Sequence, residues 1–391
     1  MSTSLTQSMG RIQRGSFLVG LVGSLLLVLG FFTDLEQFHR SYLMGYLFWL
    51  APTLGSLAIV MLHNLTGGGW GFAIKRLLEA AIRNIPLVAL LFLPVLFGIH
   101  QLFEWSHEDV VAADPVLQHK APYLNEPFFI GRAIFYFAVW IFLGLAMVRL
   151  SARYDRKLDI SALRSLKGLS GVGIVVYVLT MSFASFDWAM SLEPHWFSTL
   201  YGLHFVVGQG LSTLCFAILA ASRLARHEPF SRWIERSHFH DLGNLLLAFV
   251  MLWAYAALSQ FLIIWSGNLP EETPYYLTRF DGPWQVLSLS LAMLHFGVPF
   301  VVLLNRRSKR NAEVLAALAG AIFLLRFADF YWLVAPAFHH GVFHVSWMDF
   351  VAPVAIGGLW LGFYVRNLRD RPLVSLQDAK LLGSLEEATI A

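Results

Sequence analysis

The chain has 391 residues, of which 57% are hydrophobic and 14% charged, with a formal net charge of +3. A soluble domain carries roughly 25% charged residues, so this composition excludes a disordered chain, a collagen, a disulfide scaffold and a nucleic-acid binder. An outer-membrane barrel is excluded as well, because its apolar signal alternates instead of running on. What remains is an all-α, multi-pass membrane protein.

About 20 consecutive apolar residues cross a bilayer core. Ten stretches qualify: 15–33, 42–63, 85–103, 128–150, 168–187, 197–222, 242–265, 284–304, 312–335 and 347–366. The first follows Arg11 and Arg14 in the manner of a signal peptide. Phe31, Phe32, Thr33 and Asp34 close it where a cleavage site would need small residues, so a retained helix is expected. Residues 70–84 read as a short amphipathic helix lying at the membrane interface. The loop 104–127 carries Glu104, Glu108, Asp109, Asp114 and Glu126 against Lys120. It is either a docking surface or a solvated loop.

The loops alternate in charge. The N-terminus, 64–84, 149–167, 223–241, 305–311 and the segment from Arg366 onward hold 23 of the 28 Lys and Arg residues. The opposite set holds only Arg40, Lys120 and Arg279, and Arg132 and Arg326 lie inside spans. The positive-inside rule then puts both termini in the cytoplasm.

Ionisable groups inside a span are costly, and mark either a pathway or a paired structural site. Arg132 and Tyr136 lie near one end of the fourth span. Asp187 ends the fifth, with Thr180 and Gly173 on its face and Tyr177 nearer the cytoplasm. Glu193 and His195 lead into the sixth, where His204, Gly208, Ser212 and Cys215 form one stripe whose small residues would admit a neighbouring backbone. Gln260 is in the seventh span and His295 in the eighth. Arg326 and Asp329 in the ninth have the i, i+3 spacing of a local ion pair. The lone Cys215 makes no disulfide, thiolate zinc site or iron–sulfur cluster. His63, His100, His204 and His295 occur singly along the sequence, which speaks against a transmembrane haem, and His339, His340 and His344 match no strong metal motif. No cofactor held covalently or axially by this chain is expected.

Three stretches carry a resemblance: KAPYLNEPFFIGRAIFYFAVW (120–140), SFDWAMSLEPHWFSTLYG (185–202) and HDLGNLLLAFVMLWAYAALSQFLIIWSGNLPEETPYYLTR (240–279). Together they resemble the NrfD-like, or polysulfide-reductase membrane-subunit, family, and within it the second such subunit of bacterial alternative complex III, a quinol:cytochrome c (electron acceptor) oxidoreductase. The resemblance implies one polytopic membrane domain over 1–391. It would hold two pseudo-symmetric four-helix bundles, 42–187 and 188–335, peripheral first and last helices, 15–33 and 347–366, and a cytoplasmic tail, 367–391. It implies the bacterial cytoplasmic membrane. The implied partners are a sister NrfD-like subunit, an iron–sulfur subunit, c-type haem subunits, further small membrane subunits and a terminal oxidase. Menaquinone or ubiquinone is the implied substrate, with lipids around it. The residues inside the matching stretches are Arg132, Tyr136, Asp187, Glu193, His195, Asp241, Gln260 and Glu272; Asp329 enters on depth and charge alone.

Quinol oxidation needs a proton acceptor and an apolar slot for the tail. The quinone-contact candidates are Arg132, Tyr136, Asp187, His204 and Gln260. The proton-path candidates are Tyr177, Thr180, Asp187, Glu193, His195, His204, Gln260, His295, Arg326 and Asp329. The expected function is a subunit that contributes a proton route and a quinone contact and is inactive alone. Two alternatives stand beside it: the quinol-oxidising NrfD-like subunit itself, and a non-catalytic scaffold anchoring the redox subunits. A secondary transporter ranks below these, because Pro52, Pro94 and Pro299 sit in unlike contexts.

Overall fold

The computed structural model describes residues 3–157, 159–228, 230–339 and 342–372. The segment 373–391, most of the expected tail, and His340 lie outside the described residues. Among those described, all regular structure is helical, and ten helices are long and apolar enough to cross a membrane. The chain is a multi-pass helical membrane protein. In order the spans are Leu5–Thr33, Leu35–Thr66, Gly69–Phe97, Glu126–Asp155, Ile160–Leu192, Leu200–Leu224, Arg236–Gly267, Gly282–Leu304, Ala312–Phe338 and Trp347–Arg369. They are called here the first to the tenth span. Most run several residues past the apolar stretches that define them in the sequence, because helix ends continue into polar surroundings.

Local chemistry fixes where the spans begin and end. The Asp34 carboxylate accepts from the Gln37 N–H at the start of the second span. Asp159 does the same for Ser161 and Ala162 at the fifth, and Asn311 for Glu313 and Val314 at the ninth. Ser346 and Asp349 form a reciprocal capping box on the tenth. Each satisfies N–H groups that a helix start leaves unpaired. Asn268 closes the seventh span in the left-handed region, at φ 46°.

The second and sixth spans are the axis of the molecule. Of their most apolar windows 94% and 72% are buried, against 22% in the first and eighth spans. They cross at Gly55, where a Cβ would stand 2.3 Å from the Gln209 carbonyl oxygen, so only glycine fits. Pro52, three residues earlier, has no N–H and so leaves the Phe48 carbonyl without its helical partner. The Thr213 hydroxyl of the sixth span reaches the Ala51 and Pro52 carbonyls of the second at 3.5 and 3.4 Å. The third, fourth and fifth spans gather on one side of this axis and the seventh, eighth and ninth on the other. The first and tenth pack on each other through Gly20, Gly23, Ala355 and Gly358 and lie against the second.

Residues 70–84 differ from the surface helix expected of them. Ten of the fourteen residues of Gly69–Ile82 are buried, and the helix forms the first part of the third span. Arg76 makes this possible. It pairs with Glu79 at 2.6 Å and with Asp155 of the fourth span, and Glu79 accepts from Ser151 at 2.5 Å. Charges paired in this way can be buried, whereas single ones would hold the helix at the interface.

Candidate functional site

The structure sorts the polar residues of the spans into separate groups. In the first group Arg132 grips Asp187 with two parallel hydrogen bonds, Nε to Oδ2 at 2.9 Å and Nη2 to Oδ1 at 3.0 Å. The Tyr136 hydroxyl donates to the same carboxylate at 2.9 Å. The remaining guanidinium nitrogen, Nη1, donates to the Tyr123 carbonyl at 2.8 Å, and the cation lies 3.9 Å from the Tyr123 ring centre. Asp187 is 1% exposed and its bonds are complete. Bidentate pairs of this kind hold two helices in register.

Two further candidates are tied up nearby. Thr180 accepts from the Trp140 indole at 2.9 Å while donating to the Val176 carbonyl at 2.7 Å. The Tyr177 hydroxyl donates to Gln209 at 2.5 Å, which joins the fifth span to the sixth.

The second group sits in the loops at the end of the molecule away from the termini. Glu193 receives the Arg279 guanidinium at 2.6 and 3.2 Å. Arg279 is fully buried, and its other N–H bonds go to the carbonyls of Tyr275, Trp332 and Leu333. One of these has a clear origin. Pro336 has no N–H to return to Trp332, four residues earlier, so the Trp332 carbonyl is left without its helical partner and Arg279 supplies the donor. Arg279 also lies 3.5 Å from the Tyr275 ring centre, and Trp196 stacks on that same ring at 3.8 Å and 11°. Burial opposes its charge, but Tyr275 and Glu193 outweigh it and raise its pKa. In sequence Arg279 is one of three scattered loop cations, and nothing there distinguishes it as a keystone.

His195 lies apart and exposed, 2.5 Å from Asp114 in the acidic loop. Desolvation opposes the Asp114 charge. The hydrogen bond from His195 and those from the Val116 and Leu117 N–H groups overcome it and hold the carboxyl below its ordinary value. Asp241 is exposed beside His240 at the start of the seventh span, and Glu272 is half-buried in the loop after it.

The third group has a cavity. About 760 Å³ of space lies between the seventh, eighth and ninth spans, with Tyr201 and His204 of the sixth at its inner wall. Trp253, Phe261, Tyr276, Phe280, Phe296 and Trp332 supply aromatic lining, and Gln260, Ser288 and Asp329 supply polar atoms. Met251, Tyr255, Leu258 and Leu289 frame it and are themselves exposed on the outer faces of the seventh and eighth spans. The cavity therefore opens sideways, on the apolar flank of the molecule.

At its inner wall Asp329 pairs with Arg326, one turn back on the ninth span. The Trp253 indole donates to Asp329 Oδ2 at 3.4 Å, and His204 Nε2 stands 3.6 Å from the same oxygen. Arg326 Nε donates to Ser212 at 3.3 Å. The small residues on the sixth span admit this guanidinium, not a helix backbone as the stripe alone suggests: a Cβ on Gly208 would meet Arg326 Nη2 at 2.3 Å. Gln260 donates to the Tyr276 hydroxyl at 3.3 Å, and burial pushes that phenol up to about 12. His204 and His295 are 91 residues apart in sequence, yet their rings lie 5.8 and 4.2 Å from the same Trp253 ring. This convergence is invisible in the sequence, where the two histidines occupy different spans at unrelated positions.

Several polar atoms here lack a protein partner: His204 Nε2 as a hydrogen-bonding atom, Gln260 Oε1, both ring nitrogens of His295, and Arg326 Nη2. Buried polar groups are nearly always satisfied, so such a concentration points to something that fits between them. His339 and His344 lie ring to ring at 4.8 Å. Among the described residues no group of three or more His, Cys, Asp or Glu is placed to hold a metal ion.

No protein-family model and no curated protein matches the chain. The functional reading therefore rests on the residues and on the geometry of the cavity.

Proposed function

We propose that the chain is a membrane subunit of a quinol:electron-acceptor oxidoreductase of the alternative complex III kind, and that it contributes a quinone contact and the start of a proton route. The observation that carries this reading is the sidewise cavity ending at the His204–Asp329–Arg326 group. A quinol has a flat aromatic head, two hydroxyl groups and a long apolar tail. The aromatic walls suit the head, the open flank suits the tail, and Gln260, His204 and Asp329 suit the oxygens. Oxidation breaks two O–H bonds and releases two protons and two electrons. His204, backed by the Asp329 carboxylate, is the nearest acceptor for a proton, and the electrons pass to a redox centre on a partner subunit.

In this reading the terminal face is cytoplasmic, in keeping with the charge of its loops. The membrane is the bacterial cytoplasmic membrane. The partners are the sister NrfD-like subunit, the iron–sulfur subunit, the c-type haem subunits, the small membrane subunits and a terminal oxidase. Menaquinone and ubiquinone both answer to the chemistry of the cavity.

The test is the Ala257→Trp variant of the purified complex, since Ala257 lines the cavity and a large ring there fills it. The expected result is a fall in quinol:acceptor turnover of roughly tenfold or more with all subunits present. Wild-type turnover in a fully assembled variant would contradict a quinone role for the cavity.

A further inference from the structure

The cavity leaves one buried base unused. His295 is fully buried and neither of its ring nitrogens has a hydrogen-bond partner. An imidazole in that state costs free energy unless water or a ligand reaches it. Its setting is also unusual. It lies in a π-helical stretch, Leu291–Gly297, where the Val298 N–H reaches back to Met293. The cause is local: Pro299 lacks an N–H, and its ring crowds the carbonyl four residues earlier, which belongs to His295 itself. Widened turns of this sort are frequent at functional sites. Leu291, Ala292 and Phe296 of the same turn line the cavity, so His295 stands directly behind its wall.

We propose that His295 is a second proton acceptor for the cavity, reached through water held by the unpartnered nitrogens of His295, His204 and Arg326. The inference rests on the quinol reading above and follows from its balance. Two O–H bonds break for each two electrons passed to the partner subunit, so two protons must be placed. His204 with Asp329 takes one. Asp329 already carries Arg326 and the Trp253 indole. A second proton therefore needs a second base, and His295, with its ring 4.2 Å from Trp253 and neither nitrogen partnered, is the free one. The charged or titratable groups acting on it are Arg326 and Asp329 of the ninth span and His204 of the sixth; from the seventh span the Trp253 ring lies 4.2 Å from it. His295 is thus a relay residue, and it touches the bound molecule only through water.

The test compares His295→Gln and His295→Phe in the purified complex. Quinol:acceptor turnover is followed across pH, and labelling by a photoactivatable ubiquinone is measured alongside. Glutamine keeps a polar side chain but cannot accept a proton at working pH. The expected result is that both variants label like the wild type, lose roughly tenfold or more in turnover, and lose one limb of the pH profile. Wild-type turnover and an unchanged profile in His295→Gln would overturn the proposal and leave His295 a packing residue. A slow His295→Phe with a normal His295→Gln would overturn it too, since hydrogen bonding would then be sufficient. If the wild-type complex itself takes no label in the seventh to ninth spans, the quinol reading fails first and this inference falls with it.

Discussion

Asp187 accepts from three donors at once, two on Arg132 and one on Tyr136, and is almost wholly buried. Depth and charge make it the most conspicuous acid in the sequence, yet its surroundings make it a clamp between the fourth and fifth spans. Asp187→Asn strands the buried Arg132 cation. The expected cost is about 3–5 kcal/mol, measured as a drop in the unfolding midpoint of the purified protein. Replacing both partners together, Arg132→Met with Asp187→Leu, should cost less than the single change, because no charge is left unpaired. The Asp114–His195 pair shows the opposite case of an ion pair at the surface. The Asp114 pKa is depressed below 3.8, so its contribution is fully present above that value and fades as pH falls through the lowered one. Proteolysis of the 104–127 loop should stay flat from neutral pH to about pH 4 and rise only below it. A rise that begins well above pH 4 would show that Asp114 does not anchor the loop. Neither behaviour is legible in the sequence, since both depend on which distant side chain arrives opposite the carboxylate.

At the level of single helices, much of the structure follows from local chemistry. Apolar runs set the spans, and Asp34, Asp159, Asn311 and Ser346 cap them. Prolines act at a distance. Pro336 frees a carbonyl that Arg279 then fills, and Pro299 widens the turn that carries His295. Each proline is plain in the sequence, but its consequence depends on the neighbour that answers it. The helix 69–82 shows the same limit: its pattern reads as amphipathic, and only the Arg76–Glu79–Asp155 group explains why its polar face is buried. The glycines of the first and tenth spans make a sharper prediction. A Cβ on Gly358 would stand 2.3 Å from the Gly20 backbone nitrogen. Gly358→Leu should separate these two helices while leaving the eight-helix body intact. A disulfide-trapping assay between the first and tenth spans, with cysteines placed at their contact, should lose its product. An undiminished product would mean that the contact is dispensable.

Across the whole molecule, the ten spans of the described residues are readable from hydropathy alone. The charge difference between loop sets belongs to the same reading. The cavity is not readable in this way. Its walls come from four spans, and the polar residues at and behind its inner wall, 204, 260, 295, 326 and 329, are scattered through the sequence with only the last pair close together. What the sequence does offer is the unusual presence of His204, His295, Arg326 and Asp329 inside apolar helices, and the structure brings those four to one end of one cavity. The account stands or falls on what enters there. The decisive measurement is photolabelling of the purified complex with a photoactivatable quinone, followed by peptide mapping, with Ala257→Trp as the blocked control. The account predicts label on the seventh and eighth spans near Tyr255, Leu258 and Leu289, displaced by excess quinone and lost in Ala257→Trp. Label confined to other subunits, or label here that neither excess quinone nor Ala257→Trp removes, would contradict it.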